Sequence, residues 1–116
     1  MKQKFEVVFL DEAFDFLKSL DKKDYKKVLY NITKAQRGND PRLFKKLVDE
    51  IWEFRTKFRG KQYRLLAFWD KTLARDTLVI STHGFVKKQS KVPEKEIKKA
   101  EGLRQKYFKN KKSERK

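Results

Sequence analysis

Residues 51–58, 62–69 and 76–85 alternate apolar with polar side chains and are rich in β-branched and aromatic residues. Short polar or glycine-containing segments separate the three, so we predict neighbouring strands joined by tight turns. Because successive side chains of a strand point to opposite faces, the aromatic residues of 51–58 should lie on one face and its charged residues on the other. The sheet is therefore expected to have one core face and one cationic face.

Other segments repeat apolar residues every three or four positions, as a helix does when one of its faces is buried. A first helix is predicted over about 11–20 with Asp11 as its N-cap, and a second over 22–37 with Asp21 as its N-cap. A further helix is expected to begin at Pro93, because proline suits the first helical position.

Two shorter segments, 4–10 and 43–48, complete the predicted strands. A run of helices followed by a run of strands predicts an α+β fold, with an antiparallel four- to five-stranded sheet packed by two N-terminal helices and a C-terminal helix. A length of 116 residues suits one domain. We place that domain at 1–108 and a basic disordered tail at 109–116.

The formal charge of +16 is unevenly distributed along the chain. Residues 1–41 carry a net charge of +2, whereas residues 42–116 carry +14. A basic surface of this kind favours nucleic acid as the partner, ahead of an anionic membrane and of an acidic protein. The alternative is a merely solubilising surface, but such surfaces usually mix both signs of charge.

The chain has no cysteine and one histidine, which excludes thiolate sites and argues against a zinc site. We therefore expect no metal and no small-molecule cofactor. No stretch is long and apolar enough to cross a bilayer, and the N-terminal residues do not form a signal peptide. The expected location is the cytoplasm, with no membrane partner.

Three motifs resemble the RelE/HigB superfamily of toxin–antitoxin toxins, and in particular its phage-derived HigB-like branch. They are residues 51–55 (IWEFR), residues 62–66 (QYRLL), and residues 83–88 (HGFVKK) followed by 93–100 (PEKEIKKA). The resemblance implies a RelE-like fold and a metal-independent endoribonuclease, an mRNA interferase that cuts mRNA on the ribosome and so inhibits translation. It also implies a cognate helix-turn-helix antitoxin, HigA-like, as the protein partner.

The resemblance extends to Arg55, Arg64 and His83, which we predict to be the catalytic residues. RNA cleavage without a metal uses the ribose 2′-hydroxyl as nucleophile, so it needs a proton acceptor, positive charge for the phosphorane and a proton donor for the 5′-oxygen. A guanidinium can hold two phosphate oxygens at once, which favours Arg64. His83 can exchange a proton near neutral pH.

Each of these residues also has a structural interpretation. Arg64 could pair with Glu53 or Asp49 on the sheet surface, Arg55 could bridge two strands, and His83 could be a hydrogen-bonded structural residue. If Arg64 is exposed and functional, its replacement by alanine should abolish cleavage and leave the fold intact.

The remaining candidates are lysines, one carboxylate and aromatic residues. With a single histidine, the second acid–base group must be Glu53, Tyr63 or a lysine. Most aromatic residues of the strands should be core, whereas Trp69, next to a turn, is kept as a base-stacking candidate. The lysines predicted to bind RNA phosphates are Lys57, Lys87, Lys88 and Lys91.

An mRNA interferase acting on mRNA and the ribosome is thus the main prediction. The alternative is a non-catalytic RNA- or ribosome-binding module with the same basic sheet, which would leave mRNA intact. A phage structural or regulatory protein with a basic arm is a third interpretation, and it would not inhibit growth.

Overall fold

The structure is a computed structural model that describes residues 3–72 and 78–114, and its elements follow the predicted order. The predicted strand start at Asp76 and the last two residues of the predicted tail lie outside the described residues. The elements in chain order are β1 (Glu6–Phe9), α1 (Asp11–Ser19), α2 (Lys22–Arg37), β2 (Phe44–Val48), β3 (Ile51–Phe58), β4 (Lys61–Asp70), β5 (Leu78–Val86) and α3 (Glu94–Glu114).

The described strands form one sheet in the order β1-β5-β4-β3-β2. Strands β2, β3, β4 and β5 pair antiparallel with one another, but β1 runs parallel to β5. The sheet is therefore mixed, and the prediction of an antiparallel sheet is wrong at this edge. A tight turn can only produce antiparallel neighbours, whereas the long chain between β1 and β5 allows the parallel arrangement.

Local sequence signals explain most of the element boundaries. The side chain of Asp21 accepts a hydrogen bond of 3.1 Å from the backbone N–H of Asp24, which confirms the predicted cap of α2. Asp11 is instead the first residue of α1, and Leu10 stands at the N-cap without a side-chain bond. The turn between β3 and β4 has positive φ at Arg59 (53°) and Gly60 (78°), as a two-residue hairpin turn of type I′ requires.

Core residues occupy both faces of the sheet. Helices α1 and α2 pack on one face, where Phe54 and Leu65 are buried. Helix α3 packs on the other face, where Leu66 lies beside Ala100 and Phe68 lies beside Tyr107. The prediction of one core face and one cationic face is therefore wrong wherever α3 covers the sheet.

Polar contacts fix the C-terminal half of α3 to the sheet. The hydroxyl of Tyr107 and the Nζ atom of Lys111 each donate a 2.6 Å hydrogen bond to the buried carboxylate of Asp70 at the end of β4. Residues beyond 108, predicted as a tail, are helical as far as Glu114. Lys111 thus serves as an anchor for α3.

Gly84, in the HGFVKK motif, sits where α1 meets β5. A Cβ atom at this position would overlap the ring of Phe16 on α1. The glycine therefore lets the helix approach the strand closely.

Candidate nucleic-acid interface

A cleft of about 360 Å³ opens where edge strand β2, strand β3, the loop after β5 and the start of α3 meet. We call it the cationic cleft, because four of the five charged residues that line it are basic. A concave surface with an excess of one charge attracts ions of the opposite sign, so this cleft suits phosphate groups. Its charged residues are Lys45, Glu53, Arg55, Lys87 and Lys91.

The register of the sheet brings these side chains together. Lys45 on β2 is opposite Glu53 on β3, and Arg55 lies on the same face two residues further along β3. The backbone N–H of Lys87 donates a 2.7 Å bond to the carbonyl of Gln62, which holds the residue after β5 against β4. The cleft is therefore built mainly on paired strands.

Arg55 is the half-buried arginine of the cleft. Its Nε atom is buried and has no hydrogen-bond partner, and no carboxylate pairs with its guanidinium within the described part of the chain. The two terminal nitrogens of Arg55 are not among the buried unpaired atoms and make no hydrogen bond within the described residues. They can therefore donate to two oxygens of an anion. Arg55 is therefore the candidate phosphate ligand of the cleft.

Lys87 is half-buried beside Arg55. Burial lowers the pKa of its ammonium group, and the positive charges of Arg64, Arg55 and Lys45 lower it further against the opposing effect of Glu53. A larger fraction of Lys87 is thus neutral near physiological pH than for a lysine in water. A neutral amine can accept a proton.

Arg64 does not line the cleft, and its side chain is only 3% exposed. Its Nε atom lies 3.0 Å from Oε1 of Glu53, close enough for an ion pair although neither atom makes an aligned hydrogen bond. Two other guanidinium nitrogens donate to the carbonyl of Tyr63 and to the side chain of Gln62. Burial lowers the pKa of Arg64, and Glu53 opposes this shift. The expectation of an exposed Arg64 is wrong, and pairing with Glu53 is what the structure shows.

His83 is also buried, at 3% exposure, under the first turns of α3. Its Nε2 atom lies 3.1 Å from Oε1 of Glu96, and its Nδ1 atom lies 3.1 Å from the hydroxyl of Thr82. Burial lowers the pKa of the imidazole, opposed by Glu96 and assisted by Lys99. His83 thus joins β5 to α3 and lies outside the cationic cleft, as the structural interpretation of this residue predicts.

Tyr63 lies on the opposite face of the sheet. Its hydroxyl donates a hydrogen bond to the buried carboxylate of Asp24 on α2. Burial is the main cause, and the Asp24 carboxylate the second, that raises the pKa of Tyr63 to about 12. Tyr63 is therefore removed from the cleft, which leaves Glu53 and the lysines as acid–base groups there. Lys57 and Lys88 are exposed and do not line the cleft either.

Lys45 is the cleft residue that our sequence reasoning missed. Alignment of β2 and β3 at their connecting turn would put Lys46 opposite Glu53, but a β-bulge between Lys46 and Val48 shifts the register so that Lys45 takes this place. The sequence carries no local signal for this bulge, so the position of Lys45 beside Glu53 follows only from the structure.

Among residues 3–72 and 78–114, no group of three or more histidine, cysteine, aspartate or glutamate side chains is arranged to hold a metal ion. Within the same ranges, no helix is long and apolar enough to cross a membrane.

Fold and cleft together define a small α+β domain with a cationic cleft beside one sheet edge. Residues 15–105 match the family of phage-derived Gp49-like proteins (DUF891), and the chain belongs to that family. The family is associated with the toxins of toxin–antitoxin systems. A comparison with curated proteins found no significant match.

Proposed function

We propose that this chain is a HigB-like toxin of a type II toxin–antitoxin system that acts in the cytoplasm as a metal-independent endoribonuclease on mRNA at the ribosome. The observation that carries the proposal is the cationic cleft, in which the unpaired Arg55 lies beside Lys87 with its lowered pKa. The family association and the sequence resemblance to RelE/HigB toxins support the same conclusion.

The cleft offers the groups that cleavage needs. A scissile phosphate bound by Arg55 would receive two charge-assisted hydrogen bonds that strengthen as the dianionic phosphorane forms. The neutral amine of Lys87 takes the proton of the 2′-hydroxyl, whose oxygen then attacks phosphorus while the 5′-oxygen leaves. Lys45 and Lys91 lie in the same cleft and can protonate the departing oxygen or hold the neighbouring phosphates.

The roles of several residues therefore differ from those predicted from the sequence. Arg64 pairs with Glu53 and contributes positive charge from beneath the cleft. His83 serves the attachment of α3. Lys57 and Lys88, both exposed, are left with long-range attraction of the RNA backbone.

The proposal includes an inhibitor partner, a helix-turn-helix antitoxin of the HigA-like kind. A chain of formal charge +16 attracts an acidic contact segment through complementary potential, which speeds association. Covering the cationic cleft would neutralise the toxin. Co-expression of the protein encoded beside this chain should restore growth, and the pair should co-purify.

A non-catalytic RNA- or ribosome-binding module is the second candidate. It is favoured by the burial of Arg64 and His83, two of the three residues predicted to be catalytic. Such a module would bind RNA through the same cleft and leave the RNA uncut.

Primer extension on a cellular mRNA after brief induction separates the two candidates. With the toxin, extension should stop at discrete new 5′ ends of the downstream fragments, whereas a binder leaves the transcript intact. In a purified translation system, cleavage should not respond to added zinc or manganese beyond the magnesium that ribosomes need. A strict requirement for either metal would contradict the mechanism.

A further inference from the structure

A second cleft, of about 580 Å³, lies on the other side of edge strand β2. We call it the aromatic cleft, because Phe44, Trp52 and Trp69 line it together with the loop at 38–41 that follows α2. These rings project from the sheet face that α1 and α2 cover, opposite to the face of Glu53 and the cationic cleft.

The rings of the aromatic cleft form a continuous set at the end of the core. Phe44 stacks on Trp52 with ring centroids 5.0 Å apart, and Trp52 meets Trp69 edge to face at 5.7 Å. All three residues are only half-buried, so ring surface remains accessible at the cleft. Both tryptophans of the chain are in this one place.

The border of the aromatic cleft is basic. Lys4, Lys45 and Lys46 line it, and the two β2 lysines are exposed. The carboxylate of Asp40 also lines the cleft, but Arg42 forms an ion pair with it at 3.0 Å and cancels its charge. Accessible aromatic surface bordered by cations is the combination with which proteins bind single-stranded nucleic acid.

Lys45 connects the two clefts, since it lines both of them. One edge strand therefore separates a phosphate-binding surface from an aromatic surface. An RNA strand whose phosphates lie along the cationic cleft can cross β2 and reach the aromatic cleft with an adjacent base.

We propose that the aromatic cleft is a nucleobase-binding subsite for single-stranded RNA held in the cationic cleft. The proposal rests on the proposed function for its RNA ligand and adds the place where an unpaired base stacks. Every base has a π face, so the subsite adds affinity and fixes the position of the strand without selecting one sequence.

Tryptophan fluorescence reports on this subsite directly, because both tryptophans of the chain line it. The wild-type protein is titrated with a short, uncleavable 2′-O-methyl RNA and with an abasic oligonucleotide of equal phosphate number. Both carry an end label, so that binding is followed by anisotropy. The RNA should bind and quench the fluorescence, whereas the abasic oligonucleotide should bind more weakly without quenching.

Substitutions localise the effect. Trp69→Leu should weaken binding of the RNA by about tenfold and leave binding of the abasic oligonucleotide unchanged. Phe14→Leu, at a 49% exposed aromatic residue outside the cleft, is the matched control and should change neither. Arg55→Ala should weaken binding of both oligonucleotides, because it acts on phosphate. Unfolding curves verify that each variant is folded.

The outcomes distinguish failure of the subsite from failure of the proposed function. RNA that binds or is cleaved without quenching, or equal affinity of both oligonucleotides, overturns the subsite and leaves the proposed function standing. Absence of both RNA binding and cleavage overturns the two together. Quenching that follows only from addition of the co-encoded protein assigns the cleft to protein docking and also overturns the subsite.

Discussion

Arg55 and Arg64 lie directly opposite each other on β3 and β4, yet their surroundings differ completely. Arg64 is buried, lies 3.0 Å from the carboxylate of Glu53 and donates to two further oxygens. Arg55 is half-buried and its Nε atom has no partner. The same side chain is thus part of the structure on one strand and available to a ligand on the next.

The same contrast separates His83 from Lys87, four residues apart. His83 is enclosed between Glu96 and Thr82, whereas Lys87 borders the cationic cleft. Residue type does not distinguish the two arginines, and in the second pair it would favour His83, the residue that the structure buries. A charged or titratable side chain is free to act on a ligand only when the fold has not already given it a partner.

The largest expected effect is on stability, for the replacement of Arg64. Arg64→Ala leaves the carboxylate of Glu53 buried and unpaired, which should lower the free energy of unfolding by about 3–5 kcal/mol. Denaturant unfolding measures the loss. This expectation reverses the one drawn from the sequence, which was an intact fold.

A double variant provides the control for Arg64. Replacing both Arg64 and Glu53 with leucine removes the unpaired charge and should recover most of the lost stability. If Arg64→Ala unfolds at the same denaturant concentration as the wild type, the buried pair does not stabilise the fold as described.

The next effect is on catalysis, for the replacement of Lys87. Lys87→Met should slow cleavage by about 10²- to 10⁴-fold, because it removes the proposed proton acceptor. Lys88→Met is the matched control, since Lys88 is exposed and lies outside the cleft. Equal losses for the two variants would mean that only general positive charge matters here.

The pH dependence of cleavage tests the same role. A base must be deprotonated, so the wild-type rate should rise with pH as Lys87 loses its proton. Burial and the nearby arginines lower the pKa of Lys87, so the rise should level off below 10.5, the ordinary value for lysine. A cleavage rate that falls as the pH rises would mean that Lys87 acts in its protonated form and not as a base.

The smallest predicted effect concerns His83 and the stability of the fold at acidic pH. Burial lowers the pKa of His83 in the folded state from its ordinary value of 6.5. Above pH 6.5 His83 is neutral in both the folded and the unfolded state. Below it, the unfolded chain binds a proton at His83 that the folded chain does not, so the free energy of unfolding falls as the pH falls. Chemical denaturation between about pH 7.5 and pH 5 measures the loss.

The variant His83→Gln removes the imidazole and keeps Glu96, Lys99 and Glu12, the charged groups that act on it. The difference from the wild type is therefore the contribution of His83 itself to the pH dependence of stability. It should lose less stability than the wild type as the pH falls. Its cleavage rate at neutral pH should stay close to that of the wild type. A large loss of cleavage in a folded His83→Gln protein would return the histidine to the catalytic site.

The order and type of the elements could be predicted because their signals are local. The apolar repeat of 22–37 and the cap at Asp21 lie within one helix, and the Arg59–Gly60 turn joins two adjacent strands. The parallel pairing of β1 with β5 could not be predicted in this way. It depends on contacts between residues some seventy positions apart.

The covered second face did leave a signal in the sequence. Residues 65–69 (LLAFW) are continuously apolar, which is typical of a strand buried on both faces rather than one. The apolar stripe of α3 needed a surface to cover, and this strand provides it. Together, these features would have placed Arg64, next to that run, in the interior.

The central claim is that the cationic cleft around Arg55 is where RNA is cut, and Arg55→Ala tests it most directly. In a purified translation system, this variant should lose cleavage by about 10²- to 10³-fold, the usual effect of removing one transition-state donor. Its unfolding curve should match that of the wild type, and Arg37→Ala, at an exposed arginine of α2, should cleave normally. Cleavage by Arg55→Ala at the wild-type rate would contradict the account.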